Sequence, residues 1–341
     1  MACLVILIPA RGWTQEAPNQ IPENGFAPPL GRNGRVDVKI GLYVTNLIAV
    51  DEVRERFSIS GYLYASWKDP RLAFNVEDGD AAEKDYQPGR LWIPNLVIAN
   101  RIASHDKVGT TIRVRPDGTV DYLEALEAEL STPFELRRFP FDREALEVLV
   151  QPFLDQRAEL NLIPESTHTG VSSEPWTGLS QWNLLGVTAS SERPQIGTTA
   201  DRIPEVEFRL ALKRRSAYYM WRIGLPLLVI VLVSYCALWV TTFDHFAQIT
   251  VALSAILTMI AFLFVISASL PRIPYLTYLD AFYLTCFVFS FLTLTELVLV
   301  HRLLEAKRNV AAQRVRRHSR WAYPLLFVLV NLALAARFFV L

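Results

Sequence analysis

The chain is poor in the residues on which most catalysis, metal binding and covalent cross-linking depend. Its 341 residues include three cysteines, three methionines and five histidines. Cys236 and Cys286 fall inside apolar runs, where a thiol packs as a small hydrophobe, and Cys3 lies in an apolar start, so the polar half has no disulfide framework. His105, His168, His245, His301 and His318 are isolated, and no HExxH, CxxC or Walker-type loop occurs. This gives no metal site, no phosphate cradle, no cofactor and no basis for enzyme chemistry. Net charge is also missing: 34 Lys and Arg balance 34 Asp and Glu, so no basic excess points to nucleic acid. The repeated or broken helix patterns of a transporter are absent too.

What is present is apolar residue content. Hydrophobic residues make up 51% of the chain and the mean hydropathy is +0.23, too apolar for a wholly soluble protein of this size. Acidic residues are frequent up to about residue 210 and rare afterwards, while one dense basic run holds Lys307, Arg308, Arg314, Arg316, Arg317 and Arg320. Two environments, hence two domains, follow.

The start, Ala2 to Ala10, is apolar and precedes Arg11-Gly12, which reads as a secretory signal without its basic n-region, and residues 1–20 are assigned to a leader. From Val36 to about Lys213, short alternating segments are separated by turns, an all-β pattern of a sandwich or barrel. Val36 to Ile40, Phe57 to Trp67 and Glu205 to Leu210 have the two-residue period of half-buried strands. Arg115-Pro116-Asp117-Gly118-Thr119 predicts a hairpin turn between Thr111–Val114 and Val120–Tyr122.

After Tyr218 the alternation stops. Trp221 to Val240, Ile249 to Ala268, Tyr278 to Val300 and Trp321 to Leu341 are apolar runs of about 20 residues or more, enough to cross a hydrocarbon core of roughly 30 Å. Trp221, Trp239, Tyr275, Tyr278, Trp321 and Tyr323 sit near their ends, where aromatic rings favour the membrane interface. The basic run between the third and fourth spans puts that connection in the cytoplasm, so three spans earlier the β domain lies outside. The expected division is an extracellular domain at 21–214 and a membrane domain at 215–341. Within the latter, spans are expected at 218–241, 246–268, 275–301 and 321–341, with a cytoplasmic linker at 302–320.

In the second span Thr250, Ser254, Leu257, Ala261 and Phe264 recur at spacings of four, three, four and three, on one helix face, with Ala268 following. Small and hydroxyl residues are ordinary glue between membrane helices. They also suit a pore, with Thr250 and Ser254 hydrating ions and the apolar residues forming a constriction that gates by dewetting. A pore needs a symmetric oligomer, because one helix cannot enclose it.

Several segments resemble the pentameric ligand-gated ion-channel superfamily, in particular its prokaryotic branch, from about Val36 to the C terminus. Phe139-Pro140-Phe141-Asp142 is similar to the family's FPFD loop, and Thr132 and Leu146 occupy the positions of the paired cysteines that animal receptors carry and prokaryotic members lack. Trp67-Lys68-Asp69-Pro70-Arg71-Leu72 matches the WxDxRL strand, and Trp92-Ile93-Pro94-Asn95 resembles the WxPD segment. Leu270 to Thr277 matches the loop joining the second and third helices, and Pro226 the first-helix proline.

The resemblance implies an immunoglobulin-like extracellular β-sandwich followed by four transmembrane helices, a homopentamer around a central pore, and a ligand-gated channel in a cell inner membrane. Its partners would be further copies of itself, membrane lipid, a small-molecule agonist or protons, and permeating Na and K ions. It places Tyr62, Ala99, Asn100 and Phe153 at the agonist pocket between subunits. Ala99 stands where amine receptors carry Tyr, and no aromatic occurs between Trp182 and Phe208, so an aromatic cage for a quaternary amine is incomplete. Glu52, Asp142 and Arg214 match the family's charged positions between the domains, and Pro271, Pro274 and Tyr275 belong to the gating loop. Aligned on Leu270-Pro271, Phe246, Ala247 and Gln248 stand where cation-selective relatives carry a carboxylate, whereas counted from Trp239 Asp244 falls there, followed by a two-residue insertion; no Pro-Ala-Arg of an anion channel appears. Glu55 matches an acidic position linked to proton sensing, while Glu296, late in the third helix, is an ionisable group in a costly place. Met259 stands where a proton-gated relative has histidine. A non-conducting, membrane-anchored receptor shares the sandwich and the helices, but has no use for the stripe from Thr250 to Phe264.

Overall fold

A computed structural model describes residues 27–31, 34–76, 82–102, 106–153, 160–172, 181–192, 203–240, 245–267 and 273–340. The expected leader, Asp244, Ala268 and Pro271 lie outside these residues.

The polar half is a β-sandwich. Its long strands are β1 (Val36–Asp51), β2 (Arg56–Lys68), β5 (Asp106–Val114), β6 (Thr119–Ser131), β7 (Arg143–Pro152), β10 (Trp182–Glu192) and β11 (Glu205–Arg214). The short ones are β3 (Lys84–Tyr86), β4 (Leu96–Ile98), β8 (Leu160–Pro164) and β9 (Gly170–Val171). One sheet runs β3-β5-β6-β2-β1-β8, with β9 also on β1, and the other runs β10-β11-β7-β4. The strict period of two decides which side faces in: Val36, Val38, Ile40 and Leu42 of β1 are buried while Asp37 and Lys39 between them are exposed. The expected hairpin forms, with Val114 opposite Val120 and Ile112 opposite Tyr122. Gly118 at its tip has φ +79°, and a Cβ there would lie 2.5 Å from the Asp69 carbonyl oxygen, so the position requires glycine twice over.

Strand β11, expected to be half-buried, is covered on both faces at its start: Glu205 and Glu207 are 6% and 3% exposed. Gln151 hydrogen-bonds Glu205, and Arg209 reaches Glu207 at 2.6 Å; these partners make burial of the carboxylates tolerable.

Four helices follow: α1 (Ala217–Cys236), α2 (His245–Ser267), α3 (Tyr278–Glu305) and α4 (Asn309–Phe339). All are long and apolar enough to cross a membrane. Helix α1 contains a wider π turn over Met220–Gly224, just ahead of Pro226, where a missing N–H and a bulky ring disturb the regular ladder. Helix α3 opens on a reciprocal cap: the Asp280 amide donates to Thr277 Oγ1 and the Thr277 amide donates to Asp280 Oδ2, each at 3.1 Å. The stretch expected as a linker, 302–320, is helical except for Ala306–Arg308, because Ala311, Ala312, Gln313 and the arginines favour helix and no Gly or Pro interrupts them.

Candidate functional site

The two halves meet around one guanidinium. Arg214 ends β11 and its side chain is 0% exposed. Its Nε donates to both carboxylate oxygens of Asp142, at 2.8 and 3.0 Å, and its Nη1 donates to Glu52 Oε1 at 2.8 Å and to the Tyr219 hydroxyl at 3.3 Å. Asp142 belongs to the loop before β7, Glu52 to the turn between β1 and β2, and Tyr219 to α1, so one side chain ties both sheets to the first helix. The plane of the cation lies over Trp182 at 4.1 Å and Phe139 at 4.7 Å, which suits guanidinium better than ammonium. Burial would lower the pKa of this group, but the hydrogen bonds and charge of Asp142, then the charge of Glu52, reverse the balance and raise it. It stays a cation.

A second contact lies beside it. The Leu136 amide donates to the Tyr275 hydroxyl at 3.1 Å, and that hydroxyl is 3.3 Å from the Phe134 carbonyl. The Leu279 amide at the start of α3 donates to the Phe139 carbonyl at 3.2 Å. Phe141 packs against Tyr278 and Phe339. The loop carrying Asp142 therefore touches the segment before α3, the first turn of α3 and the end of α4. Pro274 is exposed beside these contacts.

The suggested agonist residues are distributed differently. Tyr62 lies on β2 of one sheet and Phe153 just past the end of β7 of the other, and they are 41% and 45% exposed. Tyr43, directly across from Tyr62 on β1 and 40% exposed, joins it on the outer face, which the sequence alone did not single out. Asn100 has its side chain committed to backbone: its amide nitrogen donates to the Ser131 and Glu147 carbonyls, and its oxygen accepts from the Leu149 amide. The Ala99 amide is likewise bonded to the Leu149 carbonyl.

On α2, Ala252, Ala255, Met259 and Ile266 are buried, whereas Thr250, Ser254, Leu257, Ala261 and Phe264 form an exposed face. Leu257 is 67% and Phe264 74% exposed, unusual for large apolar groups unless lipid or another chain covers them. The Thr250 and Ser254 hydroxyls donate to the carbonyls four residues back, each at 2.8 Å. Their donors are thus occupied, and their oxygens keep acceptor capacity.

Glu55 has φ +55° in the β1–β2 turn; its carbonyl accepts from the Thr132 amide and the Ser131 hydroxyl, while its side chain is exposed. Glu296 is buried between α3 and α4, near Ser319, Arg316 and Arg320. Arg316 instead donates to Gln248 Oε1 at 2.8 Å, linking α4 to the start of α2.

Residues 24–216 match the model of the neurotransmitter-gated ion-channel ligand binding domain. The chain is also 31% identical over 314 residues to a proton-gated ion channel of Gloeobacter violaceus, an alignment covering 92% of this chain and 86% of that relative. A sandwich joined to four membrane-length helices through a buried cation, together with similarity across both halves, makes this multi-pass membrane chain a member of the prokaryotic pentameric ligand-gated ion channels.

Proposed function

We propose that the chain assembles as a homopentamer in a cell inner membrane, with its β domain on the outer side and the segment between α3 and α4 in the cytoplasm, and conducts cations such as Na and K. The observation that carries this reading is the exposed face of α2. Five copies of Thr250 and Ser254 would present hydroxyl oxygens to a permeating cation, and rings of Leu257, Ala261, Phe264 and Ala268 would close the path by dewetting. A ring of Asp244 would concentrate cations at the cytoplasmic mouth. The weakly packed surface of α4 would face lipid.

Opening would start from a ligand held between subunits by Tyr62, Phe153 and the loop at Ala99 and Asn100, or from protons taken up by Glu55 or Glu296. Glu52, Asp142 and Arg214 would pass the change to Pro271, Pro274 and Tyr275. Burial of an ion pair makes it intolerant of losing one member, which suits a contact that must move as a unit. The proton-gated relative supports an acid trigger.

Cysteine scanning in a cysteine-free background tests the pore face. Thr250, Ser254, Leu257, Ala261 and Phe264 changed singly to Cys should react with a charged thiol reagent and lose current, whereas Ala252→Cys, Ala255→Cys and Met259→Cys should not. Equal reaction on both faces would contradict the reading. Silence in every variant, including Leu257→Ser, would favour a non-conducting receptor.

A further inference from the structure

A buried acid, Glu144, lies at the base of the sandwich beside the junction. Glu144 lies on β7 in phase with Leu146, Val148 and Val150, so the alternation of the strand turns a carboxyl group inward. It is 6% exposed. Its Oε2 accepts from the Glu135 amide at 3.2 Å, and its Oε1 is buried without a hydrogen-bond partner. The charged groups facing it are Asp142 in the preceding loop, Glu135 before that, and Arg214 on β11, with Glu52 and Tyr219 on the far side of the guanidinium. Arg214 also keeps one nitrogen, Nη2, buried and unpartnered. One cation thus faces three carboxyl groups, and two of them already hold its Nε and Nη1.

We propose that Glu144 is a proton-binding site of this channel, built into the contact between its two domains. Protonated, Glu144 leaves Arg214 to Asp142 and Glu52 and keeps the bridge to the β1–β2 turn intact. Ionised, it repels Asp142 and draws on the free Nη2, which weakens the hold on Glu52. Acid then favours the bridged arrangement and, through it, opening. Burial pushes Glu144 up to about 7, with the charge of Asp142 acting the same way and the Glu135 amide and Arg214 opposing it, so the proton would exchange in the neutral to mildly acidic range. The effect on current rests on the acid-trigger reading above; the titration of Glu144 does not.

Two readouts on the assembled full-length protein separate these. In the first, currents are recorded against external pH for wild type and Glu144→Gln, which is isosteric and neutral. The variant is expected to reach half-activation at about five-fold lower proton activity, with a shallower response. In the second, the apparent unfolding temperature is measured from pH 4 to pH 9. A carboxyl group raised in the fold stabilises fully below its ordinary value of 4.5, and this stability is lost as pH rises through about 7. Wild type should show that loss, and Glu144→Gln a flatter profile. Should Glu144→Gln fail to assemble, Glu144→Met removes the titrating group at similar volume and is read in the same way. An acid-activated wild type whose half-activation and stability profile are both unchanged in the variant overturns the proposal and leaves the acid trigger standing. A wild type that ignores acid removes the acid trigger; matching stability profiles would then overturn the proton site as well, while a flattened variant profile would keep it as a proton site of the fold.

Discussion

The sandwich and the helical region bury their apolar residues in different ways. In the sandwich, inward positions such as Val38, Leu42, Leu130, Leu146 and Val148 are fully covered by the same chain. In the membrane half, the most apolar 18-residue window is 22% buried in α2, 50% in α3 and 0% in α4. The sandwich completes its own core, whereas the helices leave large apolar faces that this chain does not itself cover. The junction belongs to the first kind. Arg214, Asp142 and Thr277 are sealed within one chain, so the contact between the two halves is covered as the sandwich core is.

That contrast can be broken most severely at the junction. Arg214→Ala should destabilise the folded chain by about 3–5 kcal/mol, because it leaves Asp142 buried without its cation, and should abolish ligand- or acid-evoked current. Denaturant unfolding together with current recording checks both; a loss below 1 kcal/mol by the same denaturant measure would mean that water reaches the site. Two leucines sharpen the comparison further. Leu146→Ala, in the sandwich core, should cost about 2–5 kcal/mol, while Leu257→Ala, on the exposed face of α2, should stay within about 0.5 kcal/mol and instead ease opening. Equal costs in thermal unfolding would show that Leu257 is a packing residue. A smaller cost than that of Leu146→Ala is expected at the start of α3, where Thr277→Ala removes one cap and should cost about 1 kcal/mol, seen as faster amide exchange in the first turn.

Much of the fold was legible because it depends on period. The two-residue alternation of β1, the Asp117-Gly118 turn and the four apolar runs each carry a pattern that local geometry enforces. The junction was legible only through resemblance: nothing in the spacing of Glu52, Asp142 and Arg214 shows that they meet, since the contact spans 162 residues of chain. Glu144 had a signal that could have been read, an acid in the same phase as Leu146 and Val148. The burial of Glu205 and Glu207 had none, because it depends on Gln151 and Arg209 as partners. Asn100 was assigned by position, and its side-chain bonds to three backbone groups emerge only when loop, β6 and β7 are assembled.

The most direct test of the central claim is current through bilayers containing the purified oligomer, recorded under a salt gradient while the outer solution is stepped from neutral to acidic pH. The account predicts a current that rises on acidification and reverses near the cation equilibrium potential, with the reversal moving toward zero in Asp244→Asn. An anion-type reversal would contradict the assigned selectivity, and a correctly assembled pentamer that stays silent with every stimulus and in Leu257→Ser would contradict the channel itself.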